Sequence, residues 1–105
     1  MTRIIGVVAV CMLASFVPAL AQQPSGGETG QRVFFTQGCY GCHRIGVAGT
    51  PIAYDLTHVG RKYSASQLAK WLRDPASQKP SAHMPRLALT EEEIQALATY
   101  LASLR

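Results

Sequence analysis

Cys39-Tyr40-Gly41-Cys42-His43 is the stretch on which the reading of the whole chain turns. Two thiols separated by two residues, with an imidazole on the next position, is the spacing for covalent attachment of a c-type haem. Both sulfurs must lie on one side of a tight turn to form thioether bonds with the porphyrin edge. The adjoining His43 can then present a ring nitrogen to the iron. Gly41 keeps the inside of that turn clear of a side chain. Other readings of the same residues are weaker. A disulfide across two intervening residues closes a strained loop. A thioredoxin-like pair needs a strand before it, whereas the preceding residues have a helical period. A zinc site of two cysteines and two histidines needs its histidines three to five residues apart, and His58 and His83 are widely separated.

Outward from the motif, the N-terminus reads as a targeting segment. Arg3 supplies the positive end, residues 4–17 are apolar and uncharged, and Pro18-Ala19-Leu20-Ala21 ends in a small-residue cleavage pattern. Residues 1–21 are therefore expected to be a signal peptide, cleaved after about Ala21, and the protein is expected in the periplasm. Retention as an anchor is the alternative, because the apolar run is at the short end of what spans a bilayer. Cys11 leaves with the segment, so Cys39 and Cys42 are the thiols that remain. About 84 residues then make one domain with a small core, the size of scaffold that needs a staple. A covalent cofactor would be that staple. Loss of Arg3 from ten basic residues, against six acidic ones, takes the formal charge from +4 to +3, and two haem propionates would lower it further. That balance is too weak for a nucleic-acid binder and suits, at most, a partner with an acidic docking surface.

Residues 22–27 are polar and rich in Gly and Ser and read as a flexible leader. The domain proper is expected over 28–105. Gly30, Val33 and Phe34 recur at helical spacing, predicting a helix to about Gln37 that Gly38 stops. Residues 44–50 read as a glycine-rich loop. Residues 51–60 have no clear period, and Ile52, Tyr54, Leu56 and Val59 are candidates to wall a haem pocket. Ser64 and Gln67 form a capping box before a helix whose face is Leu68, Trp71 and Leu72, ended by Asp74-Pro75. Thr90 and Glu93 cap a last helix with the stripe Ile94, Leu97, Ala98, Leu101 and Leu104. No strand signal of useful length appears, so the fold class is all-α, with three to five short helices.

An iron held by His43 has a second axial position to fill or leave open. Met1 and Met12 fall in the targeting segment, which makes Met84 the thioether of the mature chain. Pro85 stiffens the backbone just after it. His58, His83 and an open site are the alternatives. A Met/His pair raises the reduction potential and closes the iron to substrate, which describes an electron carrier rather than a catalyst.

Together these residues resemble the class I monohaem c-type cytochromes of the bacterial periplasm. The resemblance rests on Gly30-x-x-x-Phe34, Cys39-x-x-Cys42-His43, Asp55-Leu56-Thr57-x-Val59-Gly60-Arg61, Trp71-Leu72-Arg73-Asp74-Pro75, Met84-Pro85 and the last helix around Tyr100-Leu101, in that order. It implies a small cytochrome c fold in which the first and last helices cross, with Gly30 and Phe34 meeting Tyr100. It also implies that Arg61 and Trp71 hydrogen-bond the haem propionates. The chain departs from the pattern where a proline commonly precedes the Asp-Leu pair. Tyr54 stands there instead, which leaves open the carbonyl that orients His43.

The leading expectation is a periplasmic one-electron carrier between a dehydrogenase or membrane complex and an oxidase or reductase, with Lys62, Lys70, Arg73, Lys79 and Arg86 as candidate steering charges. Two alternatives stand beside it. One is a haem-bearing subunit of a larger redox enzyme. The other is an open-site haem protein that binds a small ligand.

Overall fold

Three of the helices begin in the same way, with a hydroxyl and a carboxylate or carboxamide three residues apart. The computed structural model describes residues 25–105; the expected signal peptide, Cys11 and the first half of the leader lie outside them. The first helix, α1, runs Gly26–Thr36 from a capping box in which Ser25 and Glu28 satisfy each other's backbone N–H. It starts two residues earlier than its periodicity indicates. Gly26 and Gly27 read as flexible, but the box fixes the first turn despite them. Helix α2, Ala65–Arg73, begins at the Ser64–Gln67 box, and α4, Glu91–Ala102, at the Thr90–Glu93 box. Between them Pro75 occupies the first turn of a short α3, Pro75–Gln78, where its missing N–H is not needed.

The remaining elements are small. Gly38, at φ 74°, ends α1 and leads into a 3-10 turn, Cys39–Gly41. Strands β1 (Arg44–Ile45) and β2 (Ala48–Gly49) form a two-residue antiparallel hairpin with Arg44 opposite Gly49. A second 3-10 turn covers Val59–Arg61. The architecture is all-α, and this hairpin is the only sheet among the described residues.

The apolar faces meet where the sequence places them. Helices α1 and α4 cross closely, and a Cβ built on Gly30 would run into the Ala96 carbonyl and the Tyr100 side chain. The glycine therefore lowers α1's intrinsic propensity in exchange for a closer crossing. Phe34, 1 % exposed, packs edge-on against Tyr100 at 6.2 Å and Tyr40 at 4.7 Å between ring centroids. Leu68 and Leu72 of α2 complete the core with Ile94, Leu97, Ala98 and Leu101 of α4. Beyond α4 the chain is tied back, as Gly60 N–H donates to the Leu104 carbonyl at 2.7 Å. No helix among the described residues is long and apolar enough to cross a membrane.

Candidate functional site

The core opens on one side into a cleft between α1, α2, α4, the motif turn and the Met84 segment. Its walls are Phe34, Leu56, Leu68, Leu72, Leu97 and Leu101, together with Cys39, His43, Trp71 and Met84. About 400 Å³ between them is free of protein atoms, the open mouth included. The lining is apolar except for groups that can ligate a metal or hold one that does.

Local backbone bonds build the motif turn. Gly41 N–H donates to the Gly38 carbonyl at 2.9 Å, and the N–H groups of Cys42 and His43 both reach the Cys39 carbonyl, at 3.3 and 3.0 Å. Cys39 is half-buried and burial pushes its thiol pKa up; Cys42 is exposed. Neither forms a disulfide.

His43 has a fixed tautomer. Its Nδ1 lies 2.8 Å from the Tyr54 carbonyl oxygen. A carbonyl only accepts, so Nδ1 carries the proton and Nε2 keeps its lone pair for a metal. The departure from the proline pattern is thereby resolved, since the carbonyl of Tyr54 itself does the orienting. Four bonds strap this loop to the motif and the hairpin after it: Ala53 N–H to Cys42 O at 2.8 Å, His43 to Tyr54, Leu56 N–H to Arg44 O at 2.9 Å, and Gly46 N–H to Thr57 Oγ1 at 2.8 Å.

Met84 lines the same cleft, and its Sδ accepts a hydrogen bond from Trp71 Nε1–H at 3.2 Å. An indole has a single N–H and no acceptor. The structure thus gives Trp71 a different partner from the propionate that the resemblance implies. Arg61 lies on the second 3-10 turn, exposed, and is not among the cleft residues. His58 and His83 are exposed.

The expected pocket walls from residues 51–60 need correction. Leu56 lines the cleft, Val59 is buried in the core beside it, and Ile52 and Tyr54 point outward, 73 % and 54 % exposed. The loop contributes a backbone oxygen rather than apolar side chains. A carbonyl leaves no mark in a sequence, because every residue carries one. Phe34, Leu97 and Leu101 were legible as core but not as cleft. Among the steering candidates, Arg73 is ion-paired with Glu91, and Lys62 Nζ lies 5.8 Å and 5.5 Å from the rings of Tyr54 and Tyr63. Among the described residues no three His, Cys, Asp or Glu side chains gather as a metal cluster.

The Cys39 thiol, an imidazole with a free Nε2 and a polarised thioether converge on an apolar cleft, and the Cys42 thiol lies exposed on the same turn. This donor set fits a c-type haem: soft sulfur and imidazole suit low-spin iron, and the lining suits a macrocycle. The cysteine spacing matches the attachment motif.

Comparison with known proteins gives the same direction. The family described as cytochrome c matches residues 27–105. Cytochrome c oxidase subunit 2 of Alkalihalophilus pseudofirmus is 34 % identical over 85 residues, covering 72 % of this chain and 25 % of that protein. Cytochrome c oxidase subunit 2 of Bacillus sp. (strain PS3) is 36 % identical over 90 residues, covering 68 % of this chain and 24 % of that protein. The aligned stretch spans about a quarter of each of these relatives.

Proposed function

The chain belongs to the cytochrome c family, and from that premise we propose that it is the haem-bearing electron-transfer subunit of a membrane oxidase assembly rather than a free carrier. The observation that carries this reading is the similarity to two oxidase subunits over 72 % and 68 % of the chain. The free carrier remains the second reading, favoured by an exposed basic surface at Lys70, Lys79 and Arg86.

In this proposal Cys39 and Cys42 would hold the haem through thioether bonds, and His43 Nε2 and Met84 Sδ would ligate its iron. The bound haem supplies a one-electron couple. The protein residues do the rest. Tyr54's carbonyl fixes the His43 ring and its tautomer, which raises the basicity of Nε2. Trp71 holds Met84 Sδ in one position and draws electron density from it. Phe34, Leu56, Leu97 and Leu101 exclude water, which keeps the reorganisation that accompanies each electron small. Residues 1–21 act as the export signal, and residues 28–105 form the domain that works in the periplasm.

Absorption spectra of protein matured with haem test the ligand set. A low-spin spectrum with the weak red band of a ferric haem–methionine bond, and no response to carbon monoxide, is expected. Met84→Ala should lose the band and gain carbon monoxide binding, and persistence of the band in this variant would refute the assignment. Co-purification tests the assembly: the tagged native protein should bring down oxidase chains from detergent-solubilised membranes. Recovery of the monomer alone, together with rapid reduction of an oxidase added in solution, would return the case to a free carrier.

A further inference from the structure

The carbonyl that orients His43 belongs to a loop without a ring to stiffen it at that point. A proline at position 54 would fix its own φ; tyrosine leaves that torsion free, and Tyr54 is 54 % exposed, so packing does not immobilise it. A compact side-chain network lies directly beyond the carbonyl. Asp55 Oδ1 accepts from Thr57 N–H at 2.9 Å and from Thr57 Oγ1–H at 2.5 Å, an Asx turn that sets the backbone directly after Tyr54. The same Thr57 Oγ1 accepts from Gly46 N–H at 2.8 Å. Gly46 is itself at φ 59°, and its carbonyl accepts from Arg44 Nε at 2.7 Å. One hydroxyl therefore joins the loop that carries the Tyr54 carbonyl to the hairpin that leaves His43. The bonds from Thr57 hold the Asp55 carboxyl below its ordinary pKa, as expected for an acceptor that keeps its charge.

We propose that Thr57, with Asp55, is a positioning residue that holds the Tyr54 carbonyl on His43 Nδ1 and so sets the basicity of the ligating nitrogen. The inference rests on the reading of His43 as the iron ligand. A hydroxyl is required at position 57, because it must donate to Asp55 and accept from Gly46 simultaneously. Valine has the same shape and does neither.

The test uses haem-loaded protein and three variants: Thr57→Val, Thr57→Ser and Asp55→Ala. With Thr57→Val the His43 Nδ1 proton should exchange with solvent at least tenfold faster by NMR. The reduction potential should rise, because a looser Nδ1–H···O bond makes imidazole a poorer donor to ferric iron. Thr57→Ser should restore both readouts. Asp55→Ala should move both in the direction of Thr57→Val by a smaller amount, and it decides the matter if the valine variant does not mature. An altered melting temperature with unchanged potential and exchange would overturn the proposal and leave Thr57 a purely structural strap. Wild-type protein with no covalent haem, or with haem not ligated by His43, would overturn the underlying reading along with it, and spectra distinguish that result.

Discussion

The hydrogen bond from Trp71 to Met84 sets two properties of one sulfur atom. It holds the thioether in place, and with Met84 on the iron as proposed it would remove electron density from a ligand that favours the ferrous state. Trp71→Phe keeps the ring in the cleft and deletes the donor. A net contribution of about 0.5–1.4 kcal/mol for such a bond corresponds to about 20–60 mV for a one-electron couple, so the reduction potential should fall by that order. Voltammetry of the variant checks it, and an unchanged or raised potential would mean that the bond does not act on the iron. At this scale the sequence was legible where chemistry depends on side-chain identity at fixed spacing, as in Cys39, Cys42 and His43. Met84 could be singled out because no other thioether follows the expected targeting segment. The partners were not legible. Whether the Trp71 N–H faces a propionate or a sulfur depends on how the segment after α3 returns across α2, a distance of 13 positions that no local pattern encodes.

The helices are short, and an isolated helix of this length is marginal in water. Their stability comes from reciprocal caps at one end and from burial along one face. The caps and faces were readable because both are local periodicities. The start of α1 was missed, because two glycines hid the Ser25–Glu28 box, and so was the short α3, because Asp74-Pro75 reads as the end of a helix rather than the start of the next. Gly30 is the position where an element's propensity and its packing conflict. Gly30→Ala would help α1 as an isolated helix by about 1 kcal/mol but would push its Cβ into the Ala96 carbonyl. Backbone cannot yield as a flexible side chain does, so overpacking should win, with a net loss of about 1–3 kcal/mol. Chemical denaturation of the loaded protein checks the sign, and a stabilised variant would show that the two helices can separate at little cost. The irregular loop lies at the other extreme. Its residues 51–57 follow neither period, because the motif's backbone rather than a face of the core determines where they go.

Across the whole molecule, the ion pair of Arg73 and Glu91 joins the last turn of α2 to the first turn of α4. The guanidinium holds the Glu91 carboxyl down from the ordinary 4.5 to about 2, assisted by Gln95. The folded-state pKa is depressed, so the pair contributes its stability above about pH 4.5 and loses it as the pH falls toward about 2. Both side chains are exposed, so the contribution is modest and screened by salt. Arg73→Gln should therefore lower the melting temperature slightly at neutral pH and low salt, and the difference from wild type should vanish near pH 2 or in high salt. A difference that persists there would assign the effect to packing of the arginine stem instead. The same architecture has a consequence for the order in which the molecule can be made. Phe34, Leu56, Leu68, Leu72, Leu97 and Leu101 are at once the core and the walls of the cleft, so there is no interior that could be completed first and furnished afterwards. Closing that interior also half-buries Cys39 and disfavours its thiolate. With the haem attached as proposed, thioether formation would belong to a chain that is still open, before this interior closes.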